Sequence, residues 1–195
     1  MKKCDNCPQC RPNLGECQID VPVFEYEVIQ RDLLLAIKEF YKNDFELITR
    51  AVNEVCITSH IFHYFAMKFT EKYHGYNIDP EYNRNGFGAK YYNGDRYAKP
   101  DLIIHKRNCN KYNLLYAEFK VLVREHDSHD KEKIMKFISN DFGKENGKAV
   151  KPYKFRFGVS ILLGKKEVKM LWFENGKAEA CLEYKISKDE LEMIL

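Results

Sequence analysis

Long apolar runs are missing from this sequence. No stretch reaches the ~18–20 consecutive apolar residues that cross a bilayer as a helix, so a membrane is not an expected partner. Met1-Lys2-Lys3 is not followed by the apolar segment of a signal peptide. A cytoplasmic protein is therefore expected. A large excess of one charge is also missing. The net charge is +3, which excludes a strongly cationic coat binding nucleic acid over the whole surface. Internal repeats and low-complexity tracts are absent, so nothing points to a solenoid or an extended polar tail.

What is present suits one globular domain. The chain has 195 residues, 45% hydrophobic and 31% charged, enough to bury a sizeable core without staples. Charge is unevenly placed. From Lys90 to Lys169 there are 19 Lys and Arg against 10 Asp and Glu, a local balance of +9. A basic face of this kind attracts a phosphate backbone. A solvated, lysine-rich surface is the plainer alternative.

Residues 1–22 differ from the rest. Cys4, Cys7, Cys10 and Cys17 sit among Asn, Pro and Gly with little apolar periodicity. This reads as a cysteine-rich N-terminal extension to a domain over residues 23–195. In a cytosolic chain cysteines serve as thiols or metal ligands rather than disulfides. Four thiolates can close a tetrahedral Zn²⁺ site or hold an iron–sulfur cluster. The Cys-x2-Cys-x2-Cys-x6-Cys spacing departs from the usual two separated pairs, so unliganded thiols remain the competing expectation.

Periodicity then predicts the elements. Leu33, Leu34, Ile37 and Phe40 mark a helix over about 26–41. Asn43-Asp44 is expected to cap a second helix running to Tyr73 and stopping at Gly75. Tyr76 to Arg84 reads as extended, and Asn85 to Lys99 as a loop or irregular hairpin. Asp101–His105 and Leu114–Val121 read as strands joined by a polar turn. Asp127–Asn140 is a helix. Strands are expected over 155–163, 168–173 and 178–184, and a short helix over 188–195. The order gives an α/β fold, a mixed β-sheet flanked by α-helices.

The strongest chemical signal lies on two of these strands. Pro100 suits a position where a strand begins, with Asp101 next to it. Glu118 and Lys120 are two apart on a strand and share a face. If the strands pair, Asp101 joins them. Two carboxylates, with the carbonyl of Phe119, can hold Mg²⁺ or Mn²⁺. Such an ion activates water and neutralises phosphate charge, while a lysine orients the water or stabilises developing negative charge. A bare D…ExK pattern is common, and an ordinary salt bridge is its plain explanation.

The surrounding residues add a resemblance. Lys99-Pro100-Asp101-Leu102-Ile103-Ile104-His105-Lys106-Arg107, followed by Asn113-Leu114-Leu115-Tyr116-Ala117-Glu118-Phe119-Lys120, resembles the PD-(D/E)xK nuclease superfamily, with its restriction-endonuclease-like fold. Asn53-Glu54 with Ile57, His60 and Tyr64, then Tyr82-Asn83-Arg84, looks like the first helix and strand of a small-protein branch. The resemblance covers Phe45 to Leu163. It implies a metal-dependent nuclease acting on DNA, with Asp101 and Glu118 as metal-binding acids and Lys120 as the catalytic lysine. Glu54 matches the acid on the first helix that holds a second ion or a metal-linked water. Asp130 and Lys133 fall on the helix after the motif, where a basic side chain approaches phosphate.

Val121 stands where many relatives of this branch have a second lysine. The superfamily also contains members that kept the fold and lost activity, so the alternative is an inactive nucleic-acid- or protein-binding module on the same fold. Arg84 and Lys99 are further candidates for nucleic-acid contact, in a segment that interleaves Tyr82, Phe87, Tyr91, Tyr92, Arg96 and Tyr97. Cutting both strands of a duplex calls for two sites, which a homodimer would supply. His60 and His63 share a helix face without a third ligand, and packing is their simpler role.

Overall fold

The computed structural model describes residues 22–85, 88–89, 91–92, 96–97, 99–107, 109–122, 127–139, 144–145, 148–149, 154–175, 177–186 and 191–193. Within 84–97, 109–111 and 144–149, and at 186 and 191–193, it describes backbone alone. The cysteine-rich extension, with Cys4, Cys7, Cys10 and Cys17, lies outside the described residues.

Helix α1 spans Tyr26–Thr49 and α2 spans Glu54–Phe69. The helix expected from Asn43-Asp44 to Tyr73 is broken. Asp44 is a kink within α1, at φ −130° and ψ 18°. The kink is held by partners on α2: Asp44 Oδ2 accepts from Tyr64 Oη over 2.6 Å and lies 3.1 Å from His60 Nδ1. The true interruption comes at Ala51, whose φ of 51° cannot continue a helix. Asn53 then caps α2, its side chain accepting from the Cys56 N–H over 2.8 Å. The correction matters for function, because Glu54 opens a helix instead of sitting within one.

The main sheet contains β1 (Asn77–Pro80), β2 (Leu102–Lys106), β3 (Cys109–Val121), β4 (Phe155–Leu163), β5 (Glu167–Glu174), β6 (Lys177–Ile186) and β7 (Leu191–Met193). Each strand lies beside its neighbours in sequence. Five of the pairings are antiparallel, and β3–β4 is parallel. A parallel pair needs a long crossover, and helix α3 (Ser128–Ile138) lies between them in sequence. Asp127 caps α3 by accepting from the His129 N–H over 2.8 Å. The architecture is mixed α/β.

Two strand expectations change. β3 begins at Cys109, so the expected turn from Lys106 to Asn113 is mostly strand. Leu191–Met193, expected as helix, pairs with β6. A helix of so few residues is marginal alone, whereas pairing covers the exposed edge of β6. Between β1 and β2, Arg84–Asn85 pairs with Gly88–Ala89 and Tyr91–Tyr92 with Arg96–Tyr97, the irregular hairpins expected there.

The sheet buries both faces. On one, Ile29, Leu33, Ile37 and Phe40 of α1 and Ile57, Ile61 and Phe65 of α2 pack with Leu102, Ile104, Leu115, Ala117 and Phe119. On the other, Ile134, Phe137 and Ile138 of α3 pack with Ile103, Tyr116, Phe155 and Phe173. Each such side chain contributes about 1.5–3 kcal/mol when fully buried. Trp172 and Phe173 are buried strand residues, as expected. Gly158 lets α3 approach β4 closely, since a Cβ there would lie 2.3 Å from Ile134 Cγ2. No helix among the described residues is long and apolar enough to cross a membrane.

Candidate metal centre

The register of β2 against β3 builds the site. Leu102 pairs with Ala117 and Ile103 with Tyr116. One step further along this register brings Asp101 opposite Glu118. Ile103 and Tyr116 face α3, and the two-residue period carries Asp101, Glu118 and Lys120 to the same side. Asp101 Oδ2 accepts from the Phe119 N–H over 2.7 Å. That bond closes the end of the ladder and fixes the Asp101 carboxylate beside β3.

Helices supply the remaining groups. Glu54, at the first turn of α2, places Oε1 3.2 Å from Lys120 Nζ. A carboxylate there is favoured by the helix dipole. From α3, Asp130 Oδ2 lies 3.5 Å from Lys120 Nζ, and Lys133 Nζ lies 2.7 Å from Glu118 Oε1. Asp130 and Lys133 are three apart in sequence, so one helix face delivers both. Four carboxylates, Glu54, Asp101, Glu118 and Asp130, therefore meet two ammonium groups, Lys120 and Lys133. When all six are ionised the cluster carries −2.

Burial makes that imbalance costly. The Glu118 side chain is only 3% exposed and that of Asp130 7%. Burial, then the charge of Asp101, pushes the Glu118 carboxyl up to about 8. Burial raises Asp101 to about 6, with Glu54 adding to the shift and the Phe119 N–H opposing it. Lys120 goes the other way. Burial works against its charge, but Asp130 and Glu54 outweigh it and raise the ammonium to about 12. Tyr116 Oη, Glu118 Oε1 and Asp130 Oδ2 are buried without an aligned hydrogen-bond partner. Burial and the neighbouring Glu118 hold the Tyr116 hydroxyl well above its usual range.

A divalent cation fits this donor set. Hard oxygen donors, a formal deficit of two positive charges and carboxyls that retain protons are what a Mg²⁺- or Mn²⁺-type ion would relieve. Among the described residues no three His, Cys, Asp or Glu side chains stand as a ready-made cage; Lys133 and Lys120 are already paired with the acids.

Of the residues singled out from sequence, Asp101, Glu118, Lys120, Glu54 and Lys133 come together. Lys99 does not join them. Its ammonium pairs with Glu81 Oε1 at 2.5 Å. The side chain of Arg84 lies outside those described. Asp130, placed with Lys133 on the helix after the motif, joins the cluster as well. Tyr116 was not singled out, although it alternates in phase with Glu118.

A second polar cluster lies on β1 and β2. Asp79 Oδ2 is 2.9 Å from His105 Nε2, and Arg107 grips both Asp79 oxygens. Although burial opposes it, these partners lower the Asp79 carboxyl to about 2. No family model, no curated protein and no solved structure matches the chain.

Proposed function

We propose that the chain is a Mg²⁺- or Mn²⁺-dependent nuclease that hydrolyses phosphodiester bonds, with DNA as the substrate. The observation that supports this most is the part-buried cluster of four carboxyl groups around two ammonium groups, with a formal balance of −2 and Lys120 at its margin. The helix–strand–strand–strand–helix–strand order around it agrees with the restriction-endonuclease-like resemblance.

Asp101 and Glu118 would hold the ion, with Glu54 and Asp130 nearby. When bound, such an ion supplies Lewis acidity that activates water and offsets phosphate charge. The chain's own groups do the rest. Lys120, held as an ammonium up to about 12, is a donor rather than a base. It orients the attacking water or steadies negative charge as water adds to phosphorus and one P–O ester bond breaks. The proton lost by water is matched by one returned to the leaving oxygen. Asp101, fixed by the Phe119 N–H, keeps its carboxylate in place throughout.

The test pairs binding with cleavage. Calorimetric Mn²⁺ titration of wild type and Glu118→Gln is run beside cleavage of plasmid, single-stranded DNA and RNA. The expected result is Mn²⁺ binding and DNA cleavage by wild type, both lost in Glu118→Gln. No cleavage of any substrate, with Mn²⁺ affinity unchanged by Glu118→Gln, would overturn the proposal. Mn²⁺ binding that depends on Glu118 without cleavage would favour the inactive module. The N-terminal Cys4, Cys7, Cys10 and Cys17 are proposed as a separate Zn²⁺ or iron–sulfur site. Elemental analysis finding neither metal would remove that proposal.

A further inference from the structure

The six charged groups of the cluster are not equivalent. Lys120 divides its ammonium between Glu54 and Asp130. Lys133 instead takes the deepest carboxylate, Glu118, at 2.7 Å. Its side chain is 14% exposed, so the pair is shielded from water and salt. Lys133 also comes from a helix that cannot slide easily. Its neighbour Ile134 packs against Gly158, where even a methyl group would not fit.

A divalent ion drawn to the Glu118 carboxylate would meet the ammonium of Lys133, already 2.7 Å from Oε1, and like charges this close repel. The ion would therefore compete with Lys133 for this carboxylate. We infer that Lys133 is a built-in counter-cation at Glu118, which α3 holds in the place a divalent ion would take, so that α3 sets how tightly the site accepts metal. This rests on the metal-dependent reading above. Metal binding would loosen Lys133 from Glu118 and expose its ammonium.

The experiment is calorimetric Mn²⁺ titration of the full chain as wild type, Lys133→Met and Lys136→Gln. Lys136 lies on the same helix but pairs with Glu132 at the surface, so it controls for a general change in charge. Lys133→Met is expected to bind Mn²⁺ at least about tenfold more tightly, because a nearby positive charge has been removed. Lys136→Gln should match wild type. A second measurement needs no variant. Amine-reactive labelling of wild-type Lys133 should rise several-fold when Mn²⁺ is added. Unchanged or weaker Mn²⁺ binding by Lys133→Met overturns the inference and leaves the metal site standing. So does labelling of Lys133 that stays flat while Mn²⁺ binds. Absence of Mn²⁺ binding in both wild type and Lys133→Met overturns the metal reading itself, and this inference with it.

Discussion

The N–H of Phe119 donates to Asp101 Oδ2 over 2.7 Å, so one carboxylate both ends the β2–β3 ladder and faces Glu118. Structure and charge are thereby separable at Asp101. Asn keeps an acceptor oxygen and Ala keeps none. Asp101→Ala should lose about 1–3 kcal/mol in urea unfolding, the cost of leaving a buried N–H unsatisfied. Asp101→Asn should lose much less. Both should lose Mn²⁺ affinity by calorimetry. Equal stability of the two variants would show that the bond contributes little.

Glu118 gives a pH dependence of known sign. Its folded carboxyl titrates at about 8 against a reference of 4.5. Between those values the folded chain binds more protons than the unfolded chain, so stability falls as pH rises. Asp101, at about 6 against 3.8, adds to the fall over its own window. Each unit is worth ~1.4 kcal/mol, so urea unfolding should lose a few kcal/mol between about pH 5 and pH 8. Mn²⁺ should restore most of that loss at the alkaline end, because it replaces the missing protons. Stability that rises over this window would contradict the burial of Glu118.

Asp79 has the opposite sign. Its carboxyl is lowered from 3.8 to about 2 by His105 and Arg107, against the effect of burial. The stability it contributes is present above the unfolded value and is lost as pH falls through about 2. Asp79→Asn should cost roughly 2–3 kcal/mol near neutral pH, and its acid unfolding profile should flatten below about pH 4 relative to wild type. Circular dichroism across acid titrations would check both.

Gly158 links packing to the site. Its substitution by Ala puts a methyl group 2.3 Å from Ile134 Cγ2 and 3.2 Å from Ile138 Cγ2. Gly158→Ala should destabilise by about 1–3 kcal/mol through overpacking. Shortening Ile134 to Ala should recover part of this, so the double variant should be more stable than the two single effects predict. Strict additivity in denaturant unfolding would mean that α3 relaxes freely. Mn²⁺ affinity of Gly158→Ala should shift as well, since α3 carries both Asp130 and Lys133.

Asn53 is the cap that positions Glu54. Asn53→Ala should cost about 1 kcal/mol, and it should weaken the hold of Glu54 on Lys120. Thermal unfolding reads the first effect.

Much of this was legible in the chain because it is periodic. Apolar residues at helical spacing marked Tyr26–Tyr41 and Asp127–Asn140, and alternation marked the strands that carry Asp101, Glu118 and Lys120. The breaks were not legible. Ala51 is a good helix former, yet its left-handed φ ends α1, with the Val52 N–H closing back on the Leu47 carbonyl over 2.9 Å before Glu54 opens α2. The residues at 191–193 are strand because β6 lies beside them, which no local pattern encodes.

By itself the sequence determined the alternation that puts Glu118 and Lys120 on one face, and the helical spacing that keeps Asp130 with Lys133. Those depend only on local backbone geometry. Tertiary structure alone decided which of these groups meet. The β2–β3 register set Asp101 beside Glu118, the break at Ala51 turned Glu54 toward Lys120, and α3 pressed on Gly158 delivered Lys133 to Glu118. Burial then raised the Glu118 carboxyl, because a charge shift of that size comes from desolvation by the assembled core and not from neighbours along the chain.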